Sequence, residues 1–407
     1  MKVLISAYTS DPGKGSENLR SWNWAQLYLR LGHEVWLFTS EWGRPNIEAH
    51  LKAHPDQKLH PVYVQVPDLV EKLDKKRGMW HYVRYMYWQW TASRVAKKVD
   101  KSVNFDLVHH ISWGSIQQGS GMWKLKKRMI FGPVGGGQHA PEAFKRYFFN
   151  EWSSVEMRRK TISDLFIRFN PYCRKTLRKS DLVWVANHET QEIAEQLGAK
   201  RVAYLTDTNL DPQTLPQTYP DRAPSEVFRI VWVGRLLTRK GLLLTLEALA
   251  AVRKDLPWQL TIVGDGDQGP MIPGWLKELG IEDKVNWLGH QPFSEVRKAY
   301  LTHDLFMFTS LRDSSADQFI EAMSHGIPIL TLDMHGGRVI VPDHGGIKVQ
   351  VDTPEATRKR LTDAVEYLYD HPEARLKFGR DAFTYVTTEV FSQKEAALKA
   401  YLDTVPV

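Results

Sequence analysis

Cysteine is almost absent from this chain, whose 407 residues include one, Cys173. An internal disulfide is excluded, and a reducing compartment, the cytoplasm, is expected. A catalytic thiol is not expected, because NPYCRKTLRKS reads as a helix following a proline. No apolar run reaches the roughly 20 residues of a membrane span. The N-terminus enters a strand directly, so a signal peptide is not expected. The Gly-x-Gly-x-x-Gly fingerprint is missing, and no acidic residue ends the second strand, which argues against a nicotinamide dinucleotide. Charge excess is small, +7 over the chain. It permits an anionic partner without choosing one, and no nucleic-acid-binding module accompanies it.

What is present is globular: 43% hydrophobic and 25% charged residues. The length exceeds one ordinary core and predicts two domains of about 200 residues each. KVLISA (Lys2 to Ala7) reads as a strand, and TSDPGKGSEN as a loop in which Gly13 and Gly15 permit close backbone approach. Ser16 is a plausible N-cap for a helix with Leu19, Trp22, Gln26 and Leu29 on one face, ending at Gly32. A strand from Glu34 to Thr39 completes a βαβ unit, so the first domain is expected to be doubly wound α/β. Further strands are expected at Val62 to Val66, Leu107 to Ile111, Arg128 to Phe131 and Leu182 to Ala186.

Between the first two of these lies LDKKRGMWHYVRYMYWQWTASRVAKKVDK. Trp80, Val83, Tyr87, Trp90 and Val95 fall near helical spacing among Lys75, Lys76, Arg77, Arg84, Arg94, Lys97, Lys98 and Lys101. One reading is a helix lying on an anionic membrane surface. The favoured reading is a helix packed on the sheet through this aromatic stripe, with its lysines solvated. Farther on, FGPVGGGQHAPEAF reads as a loop after a strand end. Gly135, Gly136 and Gly137 suit a loop that approaches a ligand, and His139 is a candidate to face it.

TDTNLDPQTLPQTYPDRAPSE, from Thr206, reads as an interdomain linker. This divides the chain into a domain over 1–205, a linker over 206–227 and a domain over 228–390, with a last helix in 391–407 expected to return to the first domain. Strands of the second domain are read at Phe228 to Val233, Gln259 to Val263, Val285 to Leu288, Asp304 to Thr309 and Pro328 to Leu332.

The stretch SLRDSSADQFIEAMSHGIPILTL, Ser310 to Leu332, joins two of these strands by a small-residue turn and a helix. Phe319, Ile320 and Met323 form the helix's apolar side, and Gly326 stops it. Such a turn leaves backbone N–H groups at a helix start, where an anion can dock. Asp313 and Glu321 bracket it, and carboxylates accept well from vicinal hydroxyls; a nucleotide sugar carries diols at both ends. A capped helix with a solvated Glu is the bland alternative. GRLLTRKG adds Gly234 at a strand end with Arg235 and Lys240, two cations suited to a diphosphate leaving group. IVGDGD contains an Asp-x-Asp, but its aspartates and Gly264 read as a turn, not a Mg²⁺ site. WLGH, ending at His290, is a further strand end whose backbone can meet a planar base.

The succession GRLLTRKG, IVGDGD, NWLGHQP and SLRDSSADQFIEAMSHGIPI resembles the donor half of retaining glycosyltransferases of family 4. SDPGKGSEN, LRLGHEVWLFTS, HETQEIAEQLGAK and GPVGGG extend the resemblance over nearly the whole chain. It implies a GT-B fold, α/β with two Rossmann-like doubly wound domains facing across a cleft. It implies transfer of a sugar, with retention, from a nucleotide diphosphate sugar to an acceptor hydroxyl in glycan, exopolysaccharide or glycolipid synthesis. A UDP-sugar is favoured over a GDP-sugar, the acceptor could be lipid-linked, and neither metal nor cofactor is required. By position, Arg235 and Lys240 match the family's cations on the diphosphate, and Glu321 the carboxylate that binds the ribose. Asp313 stands where the family carries Glu beside the transferred sugar. Ser314, Ser315 and Ala316 replace its Gly-Phe-Gly, while Gly13 and Gly15 match the acceptor-domain loop. An enzyme of the same fold that epimerises, hydrolyses or phosphorolyses, or a non-catalytic nucleotide-sugar binder, is the alternative.

Overall fold

The computed structural model describes residues 1–13, 17–67, 70, 79–206, 208, 210, 215–222 and 226–404. Gly15, the Ser16 cap, and Lys75, Lys76 and Arg77 lie outside them. The chain forms two compact units, one of Met1–Gly137 with Thr161–Asn209, the other of Gln138–Lys160 with Leu210–Val407. These differ from the expected boundaries. Residues 138–160 go with the second unit because Phe144, Tyr147 and Phe148 bury completely in its core. The former linker from Leu210 and the closing helix Phe391–Leu402 belong to the same unit.

The first unit is built on a parallel sheet of order β3-β2-β1-β4-β5-β6-β7. Its strands are β1 Lys2–Ser6, β2 Glu34–Thr39, β3 Leu59–Tyr63, β4 Leu107–His110, β5 Arg128–Val134, β6 Leu182–Val185 and β7 Val202–Tyr204. The third strand starts three residues earlier than expected, since Val35 to Thr39 pair with Leu59 to Tyr63. The second unit has the parallel order β10-β9-β8-β11-β12-β13. Here the strands are β8 Phe228–Val233, β9 Trp258–Val263, β10 Val285–Trp287, β11 Leu305–Phe308, β12 Ile329–Leu332 and β13 Gly346–Val349. Near-continuous apolar runs such as FRIVWV and LFMF are what strands covered on both faces require. Both sheets start centrally, wind outward and then reverse, the doubly wound arrangement. The fold is GT-B: two Rossmann-like units.

The helices correct two faces read from the sequence. In Glu17–Arg30 the buried residues are Ser21, Trp22, Trp24, Ala25, Leu27 and Tyr28, while Leu19, Gln26 and Leu29 are half-buried. Trp24 stacks on Trp184 with ring centroids 5.2 Å apart, which turns the helix toward the larger aromatic surface. In Met79–Val103 the packed stripe is Tyr85, Trp88, Ala92 and Ala96, not the expected one. Trp80, Val83 and Trp90 are instead 40%, 44% and 37% exposed. Arg84 decides the rotation: it is buried, donates to the Tyr8 hydroxyl and lies 4.1 Å from the Trp42 ring centroid. A satisfied guanidinium on the inner face forces the outer aromatics toward solvent. Among the described residues, no helix is long and apolar enough to cross a membrane.

Candidate functional site in the second unit

In a doubly wound sheet the ligand crevice opens beyond the carboxyl ends of the strands where the winding reverses. In the second unit this is between β8 and β11. The segments leaving those strands are Gly234 to Gly241 and Thr309 to Ala316, the two that carry the candidate charges.

They are stitched together by backbone. The Arg239 carbonyl accepts from the N–H groups of Leu311 at 2.9 Å and Arg312 at 3.3 Å. Gly241, at φ +69°, allows the turn; a Cβ there would sit 2.2 Å from the Thr309 carbonyl oxygen. No other residue fits so close to a neighbouring strand end.

This stitching brings Lys240 onto Asp313. The Lys240 ammonium donates to Asp313 Oδ2, lies 5.1 Å from the Phe308 ring centroid, and the residue is 5% exposed. Burial lowers the lysine pKa, and the Asp313 carboxylate opposes that by favouring the charged form. Arg239 stands 3.9 Å from the same Oδ2. Arg235 is exposed at the end of β8, and its charge is felt by both Lys240 and Arg239. Ser314 and Ser315 are half-buried and Ala316 is buried ahead of helix Asp317–Ser324. Gly336 closes on this turn, its N–H donating to the Asp313 carbonyl at 3.2 Å. A Cβ there would meet the Ser314 carbonyl at 2.8 Å.

Glu321 lies one turn into that helix. Tyr300 Oη donates to its Oε2 at 3.3 Å. Burial, reinforced by Asp317, raises the carboxyl to about 7, with the Tyr300 bond and the Arg297 charge acting against it. Gly234, Gly264 and Gly289 line up across neighbouring strand ends. The Gly264 N–H donates to the Gly289 carbonyl at 2.8 Å, and a Cβ on Gly264 would meet the Gly234 carbonyl at 1.9 Å. His290 follows them and is exposed. Asp265 Oδ1 accepts from Gly266 N–H at 2.7 Å, which makes it a turn former.

Of the other candidates, Gly13, Gly136 and Gly137 lie in the first unit. In the first unit Asp11 Oδ1 accepts from Gly13 N–H at 2.8 Å and from Asn46 Nδ2 at 2.7 Å. The glycine run is packed. The Gly136 carbonyl accepts from Gln117 Nε2 at 2.6 Å, and Gly137 N–H donates to Thr190 Oγ1 at 3.1 Å. A Cβ at Gly137 would meet the Glu189 carbonyl at 2.6 Å. His139 belongs to the second unit, and its carbonyl accepts from His335 Nε2 at 3.0 Å. Cys173 is buried, which pushes its thiol up to about 12. Tyr300, Gly336, Arg312 and Glu156 were not singled out from the sequence. Their roles depend on contacts with residues 21 to 156 positions away, to which local spacing is blind.

Residues 220–384 match the family described as Glycosyl transferases group 1. The lipopolysaccharide 1,6-galactosyltransferase of Salmonella typhimurium is 30% identical over 167 residues, 40% of this chain and 44% of that protein. The poly(glycerol-phosphate) alpha-glucosyltransferase of Bacillus subtilis is 29% identical over 183 residues, 44% of this chain and 25% of that protein. The match spans less than half of either relative's length. Among solved structures, Anabaena HepE in complex with UDP and glucose aligns with a TM-score of 0.59 at 14% identity, covering 99% of this chain and all of that one. WaaG, a glycosyltransferase involved in lipopolysaccharide biosynthesis, aligns with a TM-score of 0.59 at 14% identity, covering 97% and 98%.

A carboxyl raised in the folded state leaves a stability signature. Below about pH 4.5 Glu321 is protonated in both states; as pH rises toward 7 the unfolded chain releases its proton first, so folding stability falls. Glu321→Gln should therefore melt higher than the unsubstituted chain at pH 8, by about 3 kcal/mol in unfolding free energy. The difference should vanish below pH 4.5 in paired thermal melts; a pH-independent difference would mean that the carboxyl is not raised. The charged pair at the reversal of winding lies within the stretch that matches glycosyl transferases group 1.

Proposed function

We propose that the chain is a retaining, metal-independent glycosyltransferase that moves a sugar from a nucleotide diphosphate sugar to an acceptor hydroxyl. The observation that carries this reading is the buried Lys240–Asp313 pair beyond the ends of β8 and β11, in a unit matching group 1 glycosyl transferases. Bond cleavage at the anomeric carbon places negative charge on the departing diphosphate. Cations fixed beforehand in a water-poor site stabilise that charge without reorganising. Lys240 is such a cation, and exposed Arg235 can meet the same group from the open side. Asp313, fixed by Lys240, is the acceptor for a hydroxyl of the transferred sugar. Glu321 takes the ribose hydroxyls, and the first amides of helix Asp317–Ser324 favour the phosphates.

A UDP-sugar is the favoured donor, a GDP-sugar the alternative. HepE, with the same fold, was solved with UDP and glucose. The relatives' activities on lipopolysaccharide and poly(glycerol phosphate) make an envelope or exopolysaccharide acceptor, including a lipid-linked one, the natural class. The single buried cysteine suits the cytoplasm.

Lys240→Ala should lower turnover by about 10²-fold or more at saturating donor. Near-normal steady-state turnover in that variant would remove Lys240 from leaving-group stabilisation. A peripheral position on anionic membrane is the second part of the reading, favoured by the exposed Trp80, Tyr82, Val83 and Trp90 beside Arg94, Lys97 and Lys98. Co-sedimentation with phosphatidylglycerol vesicles should drop several-fold when Trp80 and Trp90 are both replaced by Ala. Equal binding by the double variant would exclude this face.

A further inference from the structure

Residues 138–160 lie between β5 and β6 in sequence, yet they are part of the second unit. Phe144, Tyr147 and Phe148 anchor them in its core. Two carboxylates of this insertion each grip one of the loops that hold the Lys240–Asp313 pair. Glu151 Oε2 accepts from Thr238 Oγ1 at 2.5 Å, two residues before Lys240. Glu156 accepts from both Nε and Nη2 of Arg312, at 2.8 and 2.7 Å, one residue before Asp313. The Arg312–Glu156 side chains are 13% and 6% exposed, so water and salt screen them little.

The charge balance of these loops makes the second grip consequential. Lys240 and Arg239 already stand at the Asp313 carboxylate, and Arg312, the residue before it, adds a third cation to the same loops. A guanidinium presents a planar fork that suits a carboxylate better than an ammonium does. Arg312 neighbours Asp313 in the chain, so an unheld Arg312 competes for it with Lys240.

We propose that Glu156 is a positioning residue. Its two-pronged ion pair keeps the Arg312 guanidinium off Asp313 and leaves that carboxylate to Lys240. The inference rests on the reading of Lys240 and Asp313 as donor-site residues. It names a group outside the strand-end loops that sets their pairing.

The test is competitive acetylation of the full chain with acetic anhydride at pH 8, following Lys240 by mass spectrometry, alongside turnover with a UDP-sugar. In Glu156→Gln, Arg312 takes Asp313 and Lys240 loses its counter-charge. Its labelling should rise several-fold, because an ammonium without its counter-charge gives up its proton more readily. kcat should fall while acceptor KM stays unchanged. The double variant Glu156→Gln, Arg312→Gln removes the competitor as well, so labelling and kcat should return to within about twofold of the unsubstituted chain. Unchanged labelling in folded Glu156→Gln would overturn the proposal. So would a double variant as perturbed as the single, because a mere loop anchor is not restored by losing both partners. If Glu156→Gln does not fold, the double variant decides alone: labelling like the unsubstituted chain supports the proposal, and raised labelling overturns it. Labelling needs no turnover, so a chain that transfers no sugar would contradict the functional reading and leave this result legible.

Discussion

An ammonium group held away from water against a single carboxylate is the constraint on which the second unit turns. Burying Lys240 without Asp313 would be costly, and so would the reverse, because a lone charge loses its hydration and gains nothing. The pair therefore requires that the ends of β8 and β11 be brought together closely. That in turn requires Gly241 in its left-handed turn and the Arg239 carbonyl bridging to Leu311 and Arg312. The topology places these strand ends where the winding reverses, so the most demanding electrostatic contact coincides with the natural ligand crevice.

Around this pair the loops carry more positive charge than one aspartate can match. The excess suits a diphosphate, and it also creates a sorting problem among cations. The insertion 138–160 answers it with two carboxylates on neighbouring turns, one on a hydroxyl and one on a guanidinium. The same segment supplies three aromatic rings to the core, so its position is fixed by apolar burial before its carboxylates are placed.

Much of this was legible in the sequence. Several strands of the second sheet are apolar runs, and β8 runs from Phe228 to Val233 as read, with Gly234 at its end. Helix Asp317–Ser324 buries Phe319, Ile320 and Met323 as expected from their spacing, with Gly326 at φ +68° after it. Lys240 and Asp313 were each legible near a strand end, but their pairing was not, because it depends on β8 and β11 lying side by side. What was not legible depends on three-dimensional neighbours. The stripe of Trp80, Val83 and Trp90 has helical spacing, but a second stripe with Tyr85 and Trp88 has it too, and buried Arg84 selects between them. Three successive glycines suggested a loop for a ligand, whereas Gly136 and Gly137 admit Gln117 and the Glu189–Thr190 backbone. Glu156 sits in EWSSVEMRRK, and its partner Arg312 is 156 residues away in the chain, beyond the reach of local spacing.

If the ends of β8 and β11 form the nucleotide site, amide hydrogen exchange of the full chain will report it when run with and without saturating UDP. Added protection should concentrate in 234–241 and 309–321, with the first unit's 1–13 and 117–137 unchanged by the nucleotide alone. Exchange unaffected by UDP, or protection confined to the first unit, would contradict it.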